Sequence, residues 1–536
     1  MNFAWSLPVA VAEERHYGRP MRCFADRPRS LHALFAAAVG RAPSRMAVVG
    51  ERGRATWAEL DDAVGRVAGN LARRGVIRGS RVAMLLGNGR PFLWTLWACA
   101  RLGAIAVPLG ARLKGMEIAH AINDSGAEVL IFDGELAGNL PKPYETPVLR
   151  HRFVDGEGAA GDALPFETLL APAVAPPPAA VSEEDPAVIL YTSGTTGRPK
   201  GAMLTGLGLV HSAMHYQYCL ELKEGERSLL AVPASHVTGL VALVAVTARL
   251  AGTLIMMKRF QARAFLDLAQ RERMTFTVLV PAMANLCLME PAFAASDLSS
   301  WRVCGYGGAP MPEATIAGLA AGLPGLRLAN LYGATETTSP TTIVPAGGTA
   351  ARPDSVGLPV PLGEVKVVDE AGQPVPPGTV GELWIAGPMV VPGYWDAAAA
   401  TRANFEGAFW KSGDLGTVDP DGFVRVLDRK KDMINRAGYK IYSAEVENEL
   451  AHLPGVVESA VVGRPCPVLG ERVHVFILAD RGDLDAAAVR AFCAPRMADY
   501  KVPETVTFVT EPLPRNANGK VVKTQLRRLL TEGAAA

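Results

Sequence analysis

Five times in this chain a short apolar run ends abruptly in a loop rich in glycine, hydroxyls and charge, and that repetition restricts the fold more than any other feature. Residues 187–190 lead into Tyr191-Thr-Ser-Gly-Thr-Thr-Gly-Arg-Pro-Lys200-Gly-Ala-Met203, and residues 229–232 into Pro233-Ala-Ser-His236-Val-Thr-Gly239. Residues 277–280 precede Pro281-Ala-Met283, residues 301–304 precede Gly305-Tyr-Gly-Gly-Ala-Pro310, and residues 328–331 precede Tyr332-Gly-Ala-Thr-Glu336-Thr-Thr. In open parallel sheets the loops at the carboxyl ends of the strands line one crevice, and ligands bind there. Upstream, helix-like patterns at 30–39, 56–74, 91–102 and 116–125 alternate with strand-like runs at 81–86, 104–107 and 128–132. That is the rhythm of parallel β/α units, so the expected class is α/β, with parallel sheets flanked by helices.

At 536 residues the chain has room for about two to four units of roughly 150 residues. Residues 171–180, Ala-Pro-Ala-Val-Ala-Pro-Pro-Pro-Ala-Ala, are expected to form a stiff connector without regular structure, joining two halves of one large domain. Residues 355–428, rich in Gly, Pro and Val, read as a β-barrel-like subdomain. Strand patterns at 456–462, 473–478 and 506–509, with helix patterns at 443–453 and 484–493, read as a small α+β domain. The expected division is a large N-terminal domain over 1–428 and a small C-terminal domain over 429–536.

A formal net charge of +1 argues against a broad nucleic-acid or anionic-membrane surface. Seven cysteines without CxxC spacing (Cys23, Cys99, Cys219, Cys287, Cys304, Cys466, Cys493) read as reduced core thiols. The longest apolar region, 237–257, is interrupted by Arg249 and Gly252 and fits a buried helix followed by a strand, with no integral membrane segment. No export signal is read at the N-terminus, so a cytoplasmic protein is expected.

The first loop has the chemistry of a phosphate cradle. Gly194, Gly197 and Gly201 let main-chain amides approach an anion, Ser193, Thr195 and Thr196 add hydroxyl donors, and Lys200 adds a charge. Its spacing is not that of the P-loop. The loop resembles the signature of the adenylate-forming superfamily, which holds acyl-CoA synthetases, peptide-synthetase adenylation domains and luciferases. Further motifs similar to that family's follow in its order from about Thr56 to Lys520.

The resemblance implies an AMP-forming carboxylic acid–CoA ligase that uses ATP, Mg²⁺ and CoA. It implies that Glu336 helps hold the metal, that Thr335 contacts phosphate and that Tyr332, beside Gly333, lies against adenine. Thr192 and Lys200 join the hydroxyls of the glycine-rich loop as nucleotide-binding residues. Gly307, Gly308 and Ala309 resemble the loop that lines the adenine pocket. Asp414 matches the acceptor of the ribose hydroxyls, Arg429 the arginine that assists it, and Lys440 belongs to the same nucleotide-binding set. Lys520, closing Pro514-Arg-Asn-Ala-Asn-Gly-Lys520, matches the catalytic lysine that a mobile C-terminal domain delivers to the carboxylate and α-phosphate. Lys431 matches the hinge about which that domain rotates for the thiol step, and Gly438 would then border the CoA tunnel. His236, Val237, Thr238 and Tyr306 fall in the acyl pocket, His236 as a wall or gate.

The chain departs from the family pattern at Cys466, where an aspartate is usual, and at Ser443, where proline is frequent. The acyl-pocket segments offer no cation apart from His236, so an apolar acid, either a medium to long fatty acid or an aromatic acid, is expected. A stand-alone enzyme that loads a carrier-protein thiol is the alternative. A binding protein that has lost catalysis is a third reading, against which Thr335, Glu336, Asp414, Arg429 and Lys520 together argue. The partners expected are small molecules, with no nucleic acid, and a homodimer is allowed.

Overall fold

A computed structural model describes residues 5, 8–157, 161–192, 198–480, 482–515 and 521–532. The chain divides into two compact units, Met1–Val365 with Ile385–Trp410, and Lys366–Trp384 with Lys411–Ala536.

The first unit carries two large sheets. A seven-stranded sheet runs Lys200–Thr205, Pro186–Thr192, Ile105–Pro108, Arg81–Leu85, Val129–Asp133, His151–Asp155, Leu164–Pro165, parallel except for the hairpin at its first edge. A nine-stranded sheet runs Leu358–Pro359, Ser339–Ile343, Arg327–Ala334, Val303–Gly307, Phe276–Leu279, Arg227–Leu230, Thr253–Met256, Met46–Gly50, Gly53–Thr56, with a parallel middle and antiparallel edges.

The helices fall where the alternating pattern predicts them, and local chemistry fixes their ends. Ser30 accepts from the Ala33 amide ahead of Leu31–Arg41. Thr56 and Glu59 form a reciprocal capping box for Trp57–Ala72. Pro91 opens Arg90–Leu102, where its missing N–H costs nothing, and Gly103 closes it with φ +64°. The buried faces of these helices join strand residues in one continuous apolar core. The apolar region 237–257 forms a buried π-helical stretch, Thr238–Ala245, one turn of α-helix, Val246–Arg249, and the strand Thr253–Met256. No helix among the described residues is long and apolar enough to cross a membrane.

The connector 171–180 forms no helix or strand but is tied down throughout. Asn70 donates to Ala171 O, Arg101 donates to Pro176 O, and the Ala179 amide donates to Arg101 O.

The barrel-like region takes the form of a five-stranded sheet, Glu364–Val368, Gly381–Ala386, Phe409–Val418, Phe405–Glu406, with Val424–Arg429 also on Phe409–Val418. The expected boundary at 428/429 falls inside the second unit, because Val424–Arg429 is laddered to Phe409–Val418 while the buried Asp428 carboxylate accepts from the amide and hydroxyl of Ser443. A second sheet pairs Tyr439–Ile441, Ile434–Arg436, Gly470–Ala479 and Val456–Cys466, with Thr505–Val509 parallel to Gly470–Ala479. Ser443–Leu450 and Ala486–Cys493 supply apolar side chains to its core, and Lys523–Glu532, which the sequence reading did not include, inserts Leu526.

Candidate active site

The glycine-rich loop joins two strands. Pro186–Thr192 and Lys200–Thr205 form an antiparallel hairpin in which Thr192 and Lys200 are register partners. Lys200 is therefore held at the start of a strand, whereas a P-loop lysine opens a helix. Ser193, Gly194, Thr195 and Thr196 lie outside the described residues.

Glu336 comes from the other large sheet. Arg327–Ala334 turns back into Ser339–Ile343 through the short 3₁₀ segment Thr335–Thr337. Beyond that segment Thr338 and Ser339 adopt φ of +49° and +88°. Such conformations cost non-glycine residues on the order of 1–3 kcal/mol each and persist only where the surroundings impose them. Here the Thr337 hydroxyl bonds Ala334 O and Ser339 O, and the Tyr216 hydroxyl lies 2.7 Å from Ser339 Oγ. Gly333 is required by the same turn, since a Cβ there would sit 1.9 Å from Ser339 O.

The turn leaves Glu336 only 8% exposed. Its Oε1 accepts from the Tyr394 hydroxyl at 2.9 Å and, more weakly, from Thr192 Oγ1 at 3.4 Å. The Lys200 ammonium lies 5.2 Å from the centre of the Tyr394 ring. Thr192, Lys200 and Glu336, from two different sheets, thus form one cluster around an aromatic residue. Thr335 is half-buried beside it, and Tyr332 packs against the main core.

Gly308 and Ala309 are exposed beyond the carboxyl end of Val303–Gly307, whose last residue is half-buried. His236, Val237 and Thr238 are half-buried at the entry to the π-helical stretch, and Val237 packs against the main core. Tyr306, expected in the acyl pocket, is buried. It is 2% exposed, in the cluster with Cys304, Phe265 and Trp301, and burial pushes its hydroxyl up to about 12. Side chains alternate along a strand, so Tyr306 faces away from Val303, Gly305 and Gly307, and it is Val303 that joins the core contacted by Val237.

In the second unit Asp414 and Arg429 are cross-strand partners, with Arg429 Nε 2.7 Å from Asp414 Oδ1. Asp414 is buried, and its amide donates to Ser412 Oγ. A buried carboxylate beside a half-exposed guanidinium is a strong acceptor for paired hydroxyls. Lys431 is exposed in the turn after Val424–Arg429. Ala437 and Gly438, with φ of +51° and +91°, make the tight hairpin between Ile434–Arg436 and Tyr439–Ile441. Lys440 places its ammonium 3.1 Å from Glu370, within the same unit. Lys520 lies outside the described residues.

The two departures have local roles. Ser443 is buried between Asp428 and Lys523, which also pairs with Glu447 at 2.7 Å. Cys466 acts as an acceptor, as the usual aspartate would. The amides of Leu469 and Val468, then Arg472, hold its thiol below the ordinary value.

Residues 35–395 match the family model described as AMP-binding enzyme, and residues 445–520 match the AMP-binding enzyme C-terminal domain. The chain belongs to the AMP-binding enzyme family. It is 38% identical to a feruloyl-CoA synthase from Amycolatopsis sp over 476 residues, covering 88% of this chain and 93% of that protein. It is 33% identical to the long-chain-fatty-acid–CoA ligase FadD13 from Mycobacterium tuberculosis, with the same coverage. Among solved structures, the o-succinylbenzoate CoA synthetase from Bacillus subtilis in complex with ATP and magnesium superposes with a TM-score of 0.82 at 29% identity, over 92% of this chain and 99% of that one. This AMP-binding enzyme is an acid–thiol ligase, the class that such relatives share.

Tyr394 is a residue of this AMP-binding enzyme's candidate site that sequence reasoning missed. It carries no charge and sits in Gly393-Tyr-Trp395, at the end of the family-matched segment and far in sequence from the motifs it touches. The available signal was an aromatic pair directly after a glycine, in a stretch otherwise read only as Gly/Pro/Val-rich.

Proposed function

We propose that this AMP-binding enzyme activates an apolar carboxylic acid, fatty or aromatic, with ATP, releasing pyrophosphate, and then transfers the acyl group from the adenylate to CoA. The observation that carries this reading is the meeting of Thr192, at the carboxyl end of one strand, Lys200, at the start of its hairpin partner, and Glu336, just past the end of a strand of the other sheet, around Tyr394. Attack of one anion on another requires cations at the phosphates. Lys200 is one such cation. The Glu336 carboxylate, a buried hard-oxygen donor held by hydrogen bonds, fits Mg²⁺, which supplies charge neutralisation at the phosphates. Asp414 would accept from the ribose hydroxyls with Arg429 alongside it.

Gly307, Gly308, Ala309, Tyr332 and Gly333 would line the base, with Thr335 on phosphate. His236, Val237 and Thr238 would line the acyl group. An ionised carboxylate has no proton to lose at neutral pH, so no general base is needed for the first step. Lys520 would supply the ammonium at the reacting centre, Lys431 the hinge and Gly438 the border of the thiol path, and Lys440 would assist at the nucleotide. The proposed setting is the cytoplasm, in keeping with seven buried cysteines and no disulfide.

The test is pyrophosphate and AMP release across a panel of aryl and fatty acids, with CoA or a carrier protein as acceptor. Acid-dependent pyrophosphate release followed by CoA-dependent AMP release is expected. Turnover with carrier protein alone would replace CoA as the acceptor, and ATP binding without pyrophosphate release would overturn the reading. Lys520→Ala should cut acid-dependent pyrophosphate release by about 10²–10³, the usual cost of losing one transition-state donor, and leave the melting temperature unchanged.

A further inference from the structure

Tyr394 stands where three chain segments of the first unit meet, and the backbone around it is clamped to all of them. The Val391 amide donates to Glu336 O at 2.9 Å, the Met203 amide donates to Gly393 O at 3.2 Å, and the Trp395 amide donates to Gly201 O at 2.7 Å. Tyr394 itself bridges to Ala202, and its amide donates to Thr401 Oγ1 at 3.0 Å. Tyr394 is 6% exposed. One edge of its ring carries the hydroxyl that donates to Glu336 Oε1, and the face lies against the Lys200 ammonium. One side chain therefore sets both a carboxylate and a cation.

We propose that Tyr394 is a positioning residue for metal–nucleotide binding: its hydroxyl fixes the rotamer of Glu336, and its ring seats Lys200. The inference rests on the proposed reading of Glu336 as the metal carboxylate. Mg²⁺ tolerates little departure from octahedral geometry, so a carboxylate that presents an oxygen to it must not swing.

The test measures binding of Mn²⁺–ATP without acid, by counting free Mn²⁺ in its magnetic resonance spectrum, so that no turnover is involved. Tyr394→Phe keeps the ring and removes the hydroxyl. It should weaken Mn²⁺–ATP binding by about 10- to 100-fold, the usual cost of losing an outer-shell partner, while the KM for acid, read in a separate turnover assay, stays put. Tyr394→Leu also removes the face beneath Lys200 and should weaken ATP binding further. Glu336→Gln separates the two readings. If Glu336→Gln leaves Mn²⁺–ATP binding intact, the proposed role of Glu336 fails. If Glu336→Gln weakens it and Tyr394→Phe does not, only the present inference fails. A double variant no worse than Glu336→Gln supports action through the carboxylate, and additive losses overturn it.

Discussion

His211 shows how a single residue ties the large unit to pH. It lies in the fully buried middle of Gly206–Cys219, where Nδ1 donates to Leu207 O at 2.9 Å and Nε2 accepts from the Phe24 amide at 3.2 Å. Only the neutral ring satisfies both partners, because protonation would set N–H against N–H. Burial accordingly pushes its pKa down from 6.5 to about 3, and burial lowers that of His215, one turn on, as well. A folded pKa below the unfolded one gives stability that is complete above pH 6.5 and is lost as the pH falls towards about 3. The loss is about 1.4 kcal/mol per pH unit per group within that window. Unfolding midpoints measured from pH 7 to 4.5 should fall steeply for the natural enzyme. His211→Gln, which can still donate and accept, should be less stable at pH 7 but fall less steeply, and an unchanged slope would dismiss this assignment. Legibility at this scale followed the motifs. Glu336, Asp414 and Arg429 stood out in the sequence through motifs that resemble those of the adenylate-forming superfamily. Tyr394 did not, because its value lies in contacts with Glu336 and Lys200, 58 residues and more away. The face taken by Tyr306 was legible from strand alternation once Gly305 and Gly307 are read as the opposite face.

Elements were legible wherever one periodicity dominated. The capped helices and the apolar strands of the parallel sheets lie within a few residues of their expected bounds. Lys523–Glu532 escaped because its polar surface hides the buried Leu526 and the partly buried Leu530 that packs beside it. The connector 171–180 was legible as stiff, but its seat was not, since nothing in a proline-rich run says which helix it crosses. That seat is made by glycines of Trp57–Ala72: a Cβ at Gly69 would lie 2.5 Å from Val174 O and 2.9 Å from the Ala173 side chain, and one at Gly65 would lie 2.9 Å from Ala175. Two effects oppose each other in Gly69→Ala. Helix propensity favours alanine by about 1 kcal/mol, and displacing a packed backbone costs about 1–3 kcal/mol. The carbonyl is backbone and cannot swing aside, so destabilisation should win and appear as a lower melting temperature. Gly40, near the end of Leu31–Arg41, has nothing within 4 Å of its Cβ position. Gly40→Ala should therefore stabilise by up to about 1 kcal/mol. The same sign for both substitutions would refute the packing argument.

Across the whole molecule, the proposed reaction splits into two half-reactions that draw on different parts of the chain. Lys520 serves the first in this reading, and Gly438 the second. The hairpin around Gly438 allows the split to be tested without confusing chemistry with folding. Its backbone sits at φ +91°, so an ordinary L-residue would strain the turn, and Gly438→Ala alone could fail for that reason. Asparagine tolerates positive φ far better. A Cβ at Gly438 meets nothing within 4 Å, so the second unit accepts the side chain without repacking. The Asn435 carboxamide, which accepts from the Gly438 amide at 3.0 Å, still pins the turn. Gly438→Asn should therefore keep the melting temperature and the rate of acid-dependent pyrophosphate exchange, which reports adenylation alone. If Gly438 borders the thiol path, the same variant should raise the KM for CoA and slow acyl transfer from a preformed adenylate by at least tenfold, about 1.4 kcal/mol in the barrier to that step. Equal slowing of both half-reactions would mean that the substitution acts through the fold. No slowing of either would remove Gly438 from the thiol path and, with it, the assignment of the hairpin 436–440 to the second step.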